Sequence, residues 1–201
     1  MSTIELYDAD LGAYILSALP SGDGAFSFAD VKAGNYRVKF QTGSSGGITT
    51  WYGGETVESS KLINVTSGQA ITGINATLAR GASISGQLTV PPGSGDKFLS
   101  TRFAVVSAET GVEVPDGHIN FGGNGTNVYE YWIPGIPAGS YKLHFDGQSS
   151  GAADQWYDGV SSAAAAKTIT LAAGQDVRGI DVVLQSGGKI RGKVTLNRTG
   201  F

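Results

Sequence analysis

A long internal repeat constrains this chain more than any other feature. Gly34-Asn35-Tyr36-Arg37-Val38-Lys39-Phe40 recurs as Gly139-Ser140-Tyr141-Lys142-Leu143-His144-Phe145, and Trp51-Tyr52 recurs as Trp156-Tyr157, both at an offset of 105 residues. Further on, Gly73-Ile74-Asn75-Ala76-Thr77-Leu78 recurs as Gly179-Ile180-Asp181-Val182-Val183-Leu184 at an offset of 106. Gly81 through Gly86 then matches Gly187 through Gly192. A period of this length is a domain, not one turn of a solenoid.

Each copy reads as strands. In Tyr36-Arg37-Val38-Lys39-Phe40 apolar residues alternate with charged ones, and Tyr141-Lys142-Leu143-His144-Phe145 repeats the pattern with His144 on the polar face. Alternation of this kind buries one face of a strand and wets the other. Ile74, Ala76 and Leu78 share a face, as do Ile180, Val182 and Leu184. Glycine and proline clusters interrupt these runs at short intervals, and no segment shows a sustained helical period. The expectation is an all-β antiparallel sandwich in each copy. A Tyr two residues past a turn Gly (Tyr36 after Gly34, Tyr141 after Gly139) fits the tyrosine corner of Greek-key sandwiches, whose hydroxyl bonds back to the main chain.

The bulk chemistry narrows the partners. Among 201 residues the formal net charge is -3 and 15% are charged, with no basic run for phosphates to meet, so nucleic acid is excluded as a partner. Cysteine is absent, so there is neither a disulfide framework nor a thiolate metal site. Two histidines, His118 and His144, are too few for a His-rich metal site. No apolar stretch is long enough to span a bilayer, so direct membrane insertion is not expected. Met1-Ser2-Thr3 lacks signal-peptide anatomy, and the compartment is inferred from module type instead.

Several stretches resemble a known repeat class. Ile4 to Asp10, Ser21 to Phe28, Val31-Lys32-Ala33-Gly34-Asn35-Tyr36, the Trp-Tyr-Gly segments and the Val65-Thr66-Ser67-Gly68-Gln69 turn resemble the carboxypeptidase-regulatory-like, Cna-B and SdrD-B-like group. That resemblance spans essentially the whole chain. It implies two tandem immunoglobulin-like β-sandwich modules, prealbumin-type and Greek-key, in a bacterial secreted or cell-surface protein. Such modules serve as stalks, spacers, adhesin segments and glycan-associated accessories. The Lys–Asn isopeptide bond of some Cna-B modules is not expected to carry over. Lys39 and Lys142 lie on the polar face, and Asn75 has Asp181 as its counterpart.

The repeat is out of phase with the chain. Ile4-Glu5-Leu6-Tyr7 aligns with Phe103-Ala104-Val105-Val106, whereas the second copy opens earlier, at Ala82-Ser83-Ile84-Ser85-Gly86-Gln87-Leu88-Thr89-Val90. Gly188 to Leu196 repeats that opening strand. The expected domains are therefore residues 1–81, a sandwich module without its first strand; 82–187, a complete one; and 188–201, the first strand of a following module. Either 188–196 completes the first module of a neighbouring molecule, head to tail, or it is a frayed tail and the module tolerates the gap.

The candidate functional residues are the aromatic pairs Trp51, Tyr52, Trp156 and Tyr157, whose rings could stack on sugar faces beside Glu55, Asp154, Gln155 and Asp158. The competing structural reading has Trp capping the core while Tyr packs at an edge. Asp8-x-Asp10-x-Gly12 opens like a calcium loop, but Leu19 stands where the bidentate acid belongs, and strand-to-turn aspartates are the simpler reading. Gly43-Ser44-Ser45-Gly46-Gly47 and Gly147-Gln148-Ser149-Ser150-Gly151 match G-x-S-x-G, without the following helix or a His in the first copy that the chemistry needs. No enzyme activity, cofactor or metal is expected. The expected role is a structural spacer whose partners are neighbouring modules of the same protein. The alternative is a carbohydrate-binding or adhesin module that grips polysaccharide or cell-wall glycan through its Trp-Tyr loops.

Overall fold

A computed structural model describes residues 2–43, 46–94, 102–114, 120–123, 127–147 and 151–195. The chain is all-β, built from several mainly antiparallel sheets, with no α-helix among the described residues. This architecture is consistent with a β-sandwich.

Residues of the first copy form a single five-stranded sheet. It comprises β1 (Thr3–Asp8), β2 (Tyr14–Ala18), β3 (Gly34–Gln41), β4 (Thr50–Trp51) and β5 (Ile63–Val65), in the order β2-β1-β3-β4 with β5 also on β3. Strand β3 alternates as the sequence predicts: Tyr36, Val38 and Phe40 are buried while Arg37 and Lys39 are not. Ile4 and Leu6 of β1 stand opposite Phe40 and Val38, so one face of the sheet becomes apolar.

The second copy builds two sheets. One contains β7 (Arg102–Ser107), β10 (Gly139–Asp146), β11 (Gln155–Trp156) and β12 (Ile169–Leu171), with β10 at its centre. Its β7–β10 register repeats that of β1–β3, with Phe103 opposite Phe145 and Val105 opposite Leu143. The other sheet contains β6 (Ala82–Thr89), β8 (Asn120–Gly123), β9 (Val128–Ile136), β13 (Asp176–Val177) and β14 (Val182–Val183). Strand β6 runs antiparallel to β9 on one side and parallel to β13 and β14 on the other. The facing side chains of the two sheets share one core, in which Ile84, Leu88, Ile133 and Phe145 are wholly buried. Each such side chain contributes about 1.5–3 kcal/mol by leaving water.

Strand β6 decides the difference between the copies. Among the described residues of the first copy, nothing stands beside residues 23–31 as β6 stands beside β9. Residues 71–78, the counterparts of β13 and β14, consequently have no strand to join. The sequence predicts a strand at Ile74, Ala76 and Leu78, and the segment is not one. Residues 188–195 repeat β6 in sequence but pair with no strand among the described residues, leaving Ile190 and Val194 fully exposed.

The copies meet main chain to main chain. A Cβ on Gly135 of the second copy would lie 2.8 Å from the Gly47 carbonyl oxygen of the first, and Arg80 pairs with Asp176 at 2.8 Å. A Cβ on Gly81 would lie 2.6 Å from the carbonyl carbon of Gly135, so the approach requires glycine there.

Candidate functional site

The outer faces of the central strands hold the aromatic residues singled out above. Trp51 stands opposite Lys39, and Trp156 opposite His144. Directly opposed residues share a face of a sheet, so both indoles lie on the polar face, away from the core. The structural reading of the pair therefore needs correcting, because it is Tyr that turns inward. Tyr157 is buried among the core residues, and Tyr52 packs against the first-copy cluster. The chain carries each Tyr back over the central strand: the Tyr52 amide donates to Val38 and the Tyr157 amide to Leu143.

The two outer faces differ. In the first copy Trp51 lies 5.2 Å from Tyr7, which in turn meets Tyr14 edge-on at 5.9 Å. Tyr14 is 54% exposed, so an aromatic row faces solvent. In the second copy the imidazole of His144 lies over Trp156, with ring centroids 4.5 Å apart, and its Nε2 lies 2.5 Å from Asp154 Oδ1. Gln155 is buried. Its Nε2 donates to the Val183 carbonyl and its Oε1 accepts from the Gln185 amide, so it ties β11 to the strand across the core. Glu55 and Asp158 are exposed.

The other motifs resolve into local structure. Asp8 Oδ1 accepts the amides of Asp10 and Leu11 at 2.9 Å, a side-chain-stabilised turn that Gly12 completes at φ 65°. Tyr36 Oη donates to the Lys32 carbonyl at 3.0 Å, and Tyr141 Oη to Pro137 at 3.1 Å, as the tyrosine-corner reading predicts. Burial raises the Tyr141 hydroxyl above the ordinary tyrosine pKa, with a smaller push from Glu109. His118, Ser45 and Ser149 lie outside the described residues.

On the apolar face of the first-copy sheet, a groove of about 840 Å³ is lined by Ile4, Leu6, Val38, Phe26, Phe28 and Ile74 among others. Its signal in the sequence is the absence of a β6 counterpart from residues 4–81. Residues of both 23–31 and 71–78 line it, and among the described residues neither segment pairs with a strand there. No protein-family model matches the chain, and no curated protein matches it.

Proposed function

We propose that this chain is a non-catalytic spacer made of tandem immunoglobulin-like, prealbumin-type β-sandwich modules, belonging to a bacterial secreted or cell-surface protein. The single observation behind this reading is the joint between the copies. A flexible linker would show a Gly/Ser run without partners. Here the Gly47 carbonyl and Gly81 of the first copy press against Gly135 of the second, and Arg80 pairs with Asp176 across the joint at 2.8 Å. Such a joint transmits orientation from one copy to the next, which is what a stalk requires.

Paired spin labels test the joint directly, and the cysteine-free chain makes labelling clean. Labels at Ser17→Cys and Thr170→Cys sit on exposed strand positions of the two copies. The proposal predicts one narrow distance distribution, broadened by Gly81→Val. A broad distribution in the parent chain contradicts it.

A glycan-binding role is the second reading, favoured by the Tyr14–Tyr7–Trp51 row and by Trp156 beside Asp154. Sugar C–H faces stack on such rings while carboxylates bind hydroxyls. Tryptophan emission titrated with starch, chitin, xylan and cell-wall glycans should then shift, and Trp51→Ala with Trp156→Ala should abolish the response. An unchanged spectrum across that series removes this reading.

A further inference from the structure

The second copy shows what its opening strand does. Ile84 stands opposite Ile133, Gly86 opposite Tyr131 and Leu88 opposite Tyr129 on the β9 side. On the other side Val177 pairs with Ile84, and Val182 with Leu88. Gly86 occurs where the main chain of Ile180 presses in: a Cβ there would lie 2.3 Å from the Ile180 carbonyl oxygen. The Gln87 amide is satisfied by Asp181 Oδ1 at 2.8 Å. These contacts specify an apolar–glycine–apolar strand with a fixed register.

Residues 188–195 meet that specification. Ile190, Gly192 and Val194 fall at the positions of Ile84, Gly86 and Leu88. The groove presents the matching walls, with Phe28, Phe26 and Gly24 at the positions of Ile133, Tyr131 and Tyr129. Ile74 and Asn75 take the positions of Ile180 and Asp181. Even the backbone is preset. Asp30 holds φ 56° where Gly135, its counterpart in β9, holds φ 77°, a region that Asp adopts more readily than most residues.

We propose that residues 188–195 of one copy of this chain insert as a strand into the first-repeat groove of a second copy. This deepens the spacer reading and rests on its equation of the two repeats. Ile190 then faces Phe28 and Ile71, Gly192 passes under the Ile74 carbonyl, and Val194 reaches Ala76. Lys193 stands opposite Ala25 and diagonal to Asp23, whose carboxyl is held below the ordinary aspartate pKa chiefly by the Ser21 hydroxyl. Lys189, Arg191 and Lys193 also explain how a strand with exposed Ile and Val stays free of indiscriminate edge pairing while unoccupied. Because donor and groove lie on different parts of the chain, the contact is heterologous and propagates head to tail.

Sedimentation velocity of the full chain over a wide concentration range tests the idea. The weight-average mass should rise from 20.7 kDa towards multiples of it. Gly192→Ala is the sharpest variant, since nothing lies within 4 Å of that position in the free chain. It should leave the monomer's stability intact, yet raise the association midpoint at least about tenfold, because an added Cβ has no room in the docked register. Excess peptide spanning 188–195 should return the parent chain to monomer, whereas the same peptide with Gly192→Ala should not. A chain cut after residue 187 should stay monomeric and still bind the parent peptide. A parent chain monomeric at all concentrations, an effect of Gly192→Ala no larger than its effect on monomer stability, or a groove that takes up a small apolar dye but not the peptide overturns the proposal. None of these outcomes alters the label distances across the joint, so the spacer reading stands or falls separately.

Discussion

Asp176 illustrates how one side chain fastens an edge. Its Oδ1 accepts from Ser83 Oγ at 2.7 Å and its Oδ2 from Arg80 at 2.8 Å, so it clamps β13 to the start of β6 and to the joint. The Ser83 hydroxyl, then Arg80, hold its pKa below the ordinary aspartate value. A depressed folded-state pKa contributes stability above the unfolded-state value, lost as pH falls through the folded one. Asp176→Asn should therefore lower the melting temperature at neutral pH. The gap from the parent should close in acid, below the depressed pKa, as thermal melts across pH would show. At this scale much was legible in the sequence. Tyr36 and Tyr141 could be placed because Gly-x-Tyr after a turn has one geometric use. The direction of Trp51 and Trp156 could not, because strand parity near a short strand depends on a register set by residues far away in sequence. Gln155 was hidden for the same reason: its partners, Val183 of β14 and Gln185 just beyond it, lie across the core.

At the scale of elements, alternation was a reliable guide only where a partner strand exists. Strands β3 and β10 carry the same alternating pattern and the same burial, iBiBiB over their apolar positions. Residues 74–78 carry a comparable pattern and form no strand, because strand structure is a property of pairs and the parallel partner is missing. The parallel pairing of β13 and β14 with β6 left no mark of its own in the sequence. The same missing partner separates the energetics of equivalent residues. Ile133 is wholly buried between sheets, whereas its counterpart Phe28 is only partly buried at the groove. Ile133→Ala should cost about 2–5 kcal/mol in denaturant melts. Phe28→Ala should cost under about 2 kcal/mol, since its ring has given up only part of its water contact. Equal losses at the two positions would mean that the first copy has a closed core.

At the scale of the molecule, two equivalent repeats have unequal cores. Among the described residues the second copy's cluster gathers 18 buried apolar residues, and the first copy's gathers six. The disparity does not come from poorer strands: β1 and β3 pair over six positions, as β7 and β10 do. It comes from one strand, present beside β9 and free in solvent at residues 188–195. Occupying the groove would supply main-chain partners for Phe26 and Phe28, whose amides have no backbone acceptor among the described residues. Amide hydrogen exchange at residues 24–28, followed from dilute to concentrated chain, measures this most directly. The account predicts rapid exchange in dilute monomer and slow exchange on association, with Gly192→Ala remaining fast throughout. Slow exchange in the dilute monomer, or exchange that ignores concentration, would contradict it.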